Sequence, residues 1–296
     1  MIIITTPTGQ IGRQVLQRVV DHEPVRVIAR DPGKLPAELR DRVEVITGSH
    51  GDRATVQHAF EGADAVFWLI PPNPRADSLQ AAYADFTRPA VEALRDHGVP
   101  RVVGVSALGR GTAVAGRAGL VTATLAADDL FGAGGTGYRA LALPSFMDNV
   151  ARQAASIRDR GVFTGPLPGD RRDPACATRD IADAAARLLL DRTWDGVAEV
   201  PVLGPEDLSA DEQAMIISDV LGRPVRYQQV SDDAYREVMI KSGWTPAMAD
   251  GMVEMAQAKR TGLDRGVVRT PETSSPTTFR QWCEEVLKPA VLIQAG

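Results

Sequence analysis

The sequence predicts an α/β protein: a doubly wound parallel sheet, completed by a smaller C-terminal α/β lobe that covers a substrate. Three observations predict it. The chain opens as strand, glycine loop, helix, strand. Apolar β-branched runs then alternate with helical patterns through the first 150 residues. Beyond them, short strands and amphipathic helices follow without repeats or a low-complexity linker. We expect residues 1–150 to form a nucleotide-binding domain. Residues 151–296 are expected to pack on the carboxyl edge of its sheet, the two making one compact unit.

Ile2, Ile3 and Ile4 form the first strand. Thr5-Thr6-Pro7-Thr8-Gly9-Gln10-Ile11-Gly12 is the loop. A helix follows with Val15, Leu16, Val19 and Val20 on one side, and Pro24 ends it. Residues 25–29 are the second strand. Residues 43–47 read as strand three, 54–60 as a helix and 65–70 as strand four. A long helix over about 77–97 puts Leu79, Ala82, Phe86, Ala90, Val91 and Leu94 on its inner face. Residues 101–106 and 138–143 are strands five and six. Later, residues 179–191 form an amphipathic helix. Short strands at about 197–202 and 225–229 flank a helix at 209–221. Helices at 231–241 and 246–260 follow, and a last one starts near Thr277. Met239, Trp244, Met248, Met252 and Met255 read as core packing.

Right-handed crossovers gather the carboxyl ends of parallel strands on one edge, where ligands bind. That edge collects loop 6–12, Arg30, Ser49-His50, Pro71-Pro72, Ser106-Ala107-Leu108 and Pro144-Ser145-Phe146. Gly9 and Gly12 let the backbone approach a pyrophosphate, and the helix start offers N–H groups to its charge. Thr5, Thr6 and Thr8 could add hydroxyl donors. The opening is thus Rossmann-like, although Thr6 stands where the first glycine of the motif belongs. An acid at the end of strand two would bind a ribose 2′-hydroxyl. Arg30 there suits a 2′-phosphate, with Lys34 adding charge. The expected cofactor is NADP, with NADPH preferred over NADH.

Composition narrows the function. At 296 residues with net charge −5, nothing suggests nucleic-acid binding. No stretch approaches a membrane span, and the first strand starts at Ile2, so a cytoplasmic protein is expected. Cys176 and Cys283 lack metal or redox spacing, and no metal site is expected.

The chain resembles the atypical short-chain dehydrogenase/reductase group of NmrA-like proteins, within it the quinone reductase and triphenylmethane reductase type. Thr6-Pro7-Thr8-Gly9-Gln10-Ile11-Gly12 resembles the family's G-A-T-G-x-x-G. Residues 27–34, ending in Arg30-Asp31-Pro32-Gly33-Lys34, resemble its basic end of strand two. His97-Gly98-Val99-Pro100-Arg101, Leu143-Pro144-Ser145-Phe146-Met147-Asp148-Asn149 and Ala177-Thr178-Arg179-Asp180-Ile181-Ala182 resemble three later segments. The resemblance implies that Thr6, Thr8, Gly9, Gln10, Ile11, Gly12, Arg30, Lys34, Ser49, Pro71 and Ser106 contact the cofactor. It also implies a substrate pocket of Pro72, Ala107, Leu108, Phe146, Met147 and Asn149. Ser49 stands where many members carry an Asp, and Leu143 replaces an Arg.

The family's usual acid is missing. A standard short-chain dehydrogenase uses a Tyr followed four residues later by a Lys that lowers its pKa. Tyr83, Tyr138, Tyr227 and Tyr235 are followed at that spacing by Thr87, Ala142, Ser231 and Met239. Hydride delivery to a quinone-like or other aromatic acceptor needs little acid, because the charge delocalises. The protein then has only to hold the reactants together and exclude water. No tyrosine is expected to matter for turnover. Pro71 would join the apolar pocket, Trp68 reads as core strand packing ahead of a pocket wall, and His50 reads as a loop histidine. The expected partner is a small aromatic or quinone substrate, with a homodimer possible. Two other readings stay open: a dinucleotide-binding sensor without turnover, and a biosynthetic enzyme acting on an aromatic polyketide, coupling included.

Overall fold

The computed structural model describes residues 1–293. The chain divides into two compact units of three segments each. The first unit holds residues 1–107, 122–142 and 181–200; the second holds 108–121, 143–180 and 201 onward. The expected single boundary at residue 150 gives way to this interleaving. Its cause lies in the sheet, whose last strand arrives only near residue 200.

The first unit is built on a seven-stranded parallel sheet of β1 (Ile2–Thr5), β2 (Val25–Ala29), β3 (Glu44–Thr47), β4 (Ala65–Trp68), β5 (Arg101–Ala107), β6 (Gly137–Leu143) and β7 (Val197–Pro201). The spatial order is β7-β6-β5-β4-β1-β2-β3. Ile3 aligns with Arg26 on one side and Val66 on the other. All four residues of β1 are buried, as a central strand covered on both faces requires. The expected strand at 197–202 therefore belongs to this sheet and not to the C-terminal lobe.

Helices α1 (Gln10–Val19), α2 (Arg53–Ala59), α3 (Phe86–Asp96), α4 (Leu120–Ala133) and α5 (Thr178–Leu190) flank these strands in sequence. The expected helix 77–97 is interrupted by one π turn, Ala81–Asp85, ahead of α3. Pro89 has no N–H for the carbonyl of Asp85, and its ring crowds that carbonyl; the widened turn ends there. Ile3, Ile28, Val56, Phe60, Val66, Leu94 and Phe131 form the core.

The second unit pairs Ser145–Phe146 with Arg172–Cys176 and that strand with Asp207–Ser209. Val162–Gly165 runs parallel to Arg226–Gln229. The helix Ala210–Leu221 starts at a capping box made by Ser209 and Glu212. Ile157, Phe163, Ile217, Phe279 and Trp282 anchor its core. Met239 and Met248 are buried as expected, whereas Trp244, Met252 and Met255 are only half-buried. No helix among the described residues is long and apolar enough to cross a membrane.

Candidate active site

The loop after β1 is tight. Thr6 is the one non-glycine residue with positive φ, at +51°, among the described residues. This left-handed conformation explains why related loops use glycine at that place. The Thr6 carbonyl accepts from Gly9 N–H at 2.9 Å. A β-carbon on Gly9 would sit 3.3 Å from that oxygen, and one on Gly12 only 2.2 Å away. Gly12 is therefore required by the loop's own packing. No side chain caps α1, whose N-cap is Gly9.

The three threonines have three fates. The Thr5 hydroxyl donates to the Phe67 carbonyl and accepts from Leu69 N–H, both at 3.0 Å, and so ties the end of β1 to β4. The Thr6 hydroxyl is buried without a partner. Thr8 alone is exposed. Of the expected phosphate hydroxyls, Thr5 is thus already committed to the fold. Gln10 is exposed, whereas the Ile11 side chain is buried.

At the end of β2, Arg30 is exposed and carries no hydrogen bond or ion pair. Its neighbour Asp31 does not neutralise it. The Asp31 carboxylate accepts from Gly33 N–H at 3.1 Å and lies 3.6 Å from Lys34 Nζ. Arg30 stands without a partner, whereas Lys34, expected to add a second charge there, faces Asp31.

His50 is buried after β3 and shares a hydrogen bond with the Leu69 carbonyl at 3.0 Å. A carbonyl only accepts, so Nε2 carries the proton. The ring meets Trp68 and Phe86 edge-on at 5.0 and 4.9 Å. Burial pushes its pKa down to about 4, opposed by the Leu69 hydrogen bond and helped by the charge of Arg30. His50 is a neutral wall of the fold. Ser49 accepts from Gly51 N–H at 3.3 Å. Trp68 is core, the reading its strand position favoured. Pro71 is half-buried and Pro72 exposed in the loop after β4.

Ser106 is also committed. Its hydroxyl donates to Asp128 Oδ2, and Tyr138 donates to Asp128 Oδ1. All three groups are buried. Sequence reasoning missed Asp128; its signal is the Asp128-Asp129 pair in the mostly apolar stretch of α4. Ala107 ends β5, and Leu108, in the second unit, is buried with its N–H on the Leu143 carbonyl.

Phe146, Met147 and Asn149 line a cavity of about 200 Å³ in the second unit. Phe163, Tyr227 and Phe279 complete its aromatic wall. Arg171 and Asp173 form a closed ion pair at 2.7 Å within the lining. Pro72, Ala107 and Leu108 are not part of this lining.

The uncapped start of α1, the glycine loop and the unpaired Arg30 suit a dinucleotide with a charged ribose. Comparison with known proteins agrees. The chain is 32% identical to a (4-alkanoyl-5-oxo-2,5-dihydrofuran-3-yl)methyl phosphate reductase of Streptomyces griseus subsp. griseus, over 96% of this chain and 97% of that protein. It is 28% identical to an NAD(P)H azoreductase of Xenophilus azovorans, over 86% of each. The fold matches the crystal structure of Citrobacter sp. triphenylmethane reductase complexed with NADP(H), with a TM-score of 0.79, 20% identity, and 99% and 100% of the two chains covered. The sequence signature of NAD(P)H-binding proteins spans residues 7–192. That span runs from the glycine loop through α5, and the chain belongs to the NAD(P)H-binding family.

Proposed function

We propose that this oxidoreductase uses NADPH to reduce a quinone-like or other conjugated, electron-poor small molecule by direct hydride transfer, without a Tyr-Lys acid. Arg30 carries the cofactor choice. Its guanidinium is exposed and unpaired at the end of β2, where a 2′-phosphate would meet planar charge-assisted donors. The N–H groups at the start of α1 and the backbone of Gly9 would hold the pyrophosphate, with Thr8, Gln10, Ser49 and Pro71 around it. Bound there, the reduced cofactor supplies a hydride.

The acceptor class rests on what the chain lacks and on its relatives. None of its four tyrosines is followed by the lysine that would sharpen a phenol for simple carbonyls. The names of the relatives describe an oxo-dihydrofuran, azo compounds and a triphenylmethane, all conjugated systems. Phe146, Met147 and Asn149 would contribute to holding the acceptor.

The test is oxidation of NADPH with a panel of quinones, azo dyes and unsaturated lactones against a panel of simple ketones. Brisk ketone reduction with no activity on the conjugated panel overturns the reading. Tight NADPH binding with silence on both panels moves it to a dinucleotide sensor.

A further inference from the structure

One tyrosine stands where a proton donor is wanted, although it has no lysine partner. Tyr83 lies in the π turn Ala81–Asp85, early in the helical stretch that follows β4. Thr124 lies in the second turn of α4, which follows β5. Their side chains share a hydrogen bond. In a parallel sheet with helical crossovers, a helix begins at the carboxyl edge of the strand before it. Both side chains therefore belong to the ligand edge of the first unit.

The sheet order sharpens the placement. Strand order reverses between β1 and β4. Arg30, at the end of β2, marks the adenosine side of that crevice. The helical stretch after β4 flanks the opposite side, where the reactive half of a dinucleotide goes. Tyr83 is half-buried, and burial raises its phenol above the ordinary value, so it stays protonated at neutral pH. Single π turns recur at functional sites because they re-aim side chains.

We propose that Tyr83, held by Thr124, donates the proton that completes reduction of the acceptor. The inference rests on the reductase reading above and departs from the expectation that no tyrosine takes part. The acceptor receives a hydride from the reduced cofactor at its electron-poor atom. Its π bond breaks, and that electron pair moves to the conjugated oxygen or nitrogen. The Tyr83 O–H bond breaks, and the proton bonds to that atom. The phenolate then recovers a proton from water through the Thr124 hydroxyl. The acceptor gains two electrons and two protons, and the cofactor is oxidised.

Acceptor chemistry provides the test. An azo dye needs a proton to complete its reduction. A cationic triarylmethane dye takes a hydride on carbon and becomes neutral with no proton at all. With the full chain and NADPH, Tyr83→Phe should lower azo-dye turnover about 10²-fold and leave cationic-dye turnover nearly unchanged. Thr124→Val, which keeps the phenol, should cause a smaller loss, about tenfold, on the azo dye alone. Calorimetry should give the same NADPH affinity for both variants and the parent. Equal losses on the two dyes, or no loss on either, overturn the proposal. A parent protein that binds NADPH and reduces neither dye nor any quinone or lactone of the panel above overturns the reductase reading, and this inference with it. If it reduces a quinone alone, that quinone, which also needs a proton, replaces the azo dye, and an unchanged rate in Tyr83→Phe overturns the proposal.

Discussion

A β-carbon on Gly12 would lie 2.2 Å from the carbonyl oxygen of Thr6. No side-chain rearrangement relieves that contact, because the obstacle is backbone. Gly12→Ala must therefore push the loop away from α1. We predict a loss of roughly 1–3 kcal/mol in stability, together with a fall of more than tenfold in NADPH affinity. Thermal denaturation and calorimetry on the same preparation measure both.

Thr6→Gly should do the reverse to stability. A β-branched residue at φ +51° is strained, and its hydroxyl is buried without a partner. Left-handed backbone costs about 1–2 kcal/mol in a non-glycine residue. The cofactor-free variant should melt higher and bind NADPH as well or better. A strong loss of binding would mean that the threonine itself contacts the cofactor.

Arg30→Ala should remove most of the preference for NADPH over NADH, on the order of 1.5–3 kcal/mol for a charge-assisted contact. Lys34→Ala should change it by only a few tenths of a kcal/mol, since Lys34 is exposed and already faces Asp31. Paired titrations with the two cofactors read the difference. Equal affinities in the parent protein would sink the assignment of Arg30.

His50 makes stability depend on pH. Its pKa is lowered to about 4 in the folded chain, from 6.5. The folded state therefore binds fewer protons than the unfolded state between those values. Stability from this group is complete above pH 6.5 and is lost as pH falls toward 4, by up to about 3 kcal/mol. His50→Gln, with no titrating ring, should flatten that part of the curve. Denaturant midpoints of both proteins from pH 7 to 4 test this.

Much of the first unit is legible in the sequence because its elements are local. The run of Ile2, Ile3 and Ile4, the glycine loop and the break at Pro24 each act within a few residues. Strand three was expected at 43–47 and lies at Glu44–Thr47. What stays hidden depends on long-range pairing. Arg226–Gln229 lies where a strand was expected at about 225–229, but its partner Val162–Gly165, more than sixty residues earlier, was not expected as a strand. β7 reads like lobe sequence until its partner β6 is known. In the site, Arg30 is legible from its place at the strand end. The fates of Thr5 and Ser106 are not, because each is decided by a distant partner: Phe67 and Asp128.

The interleaving of the two units has a consequence during synthesis. The sheet's edge strand β7 is about two hundred residues from the amino terminus. A nascent chain released to residue 150 carries six strands of the seven, with the edge of β6 bare. Such an edge is a template for pairing with other chains. A gene fragment cut at the apparent end of the nucleotide-binding half should therefore yield aggregates, whereas one extended past Pro201 closes the edge. Vectorial folding of this protein is delayed by its own connectivity, and the exposed interval falls between the ribosome's delivery of β6 and of β7.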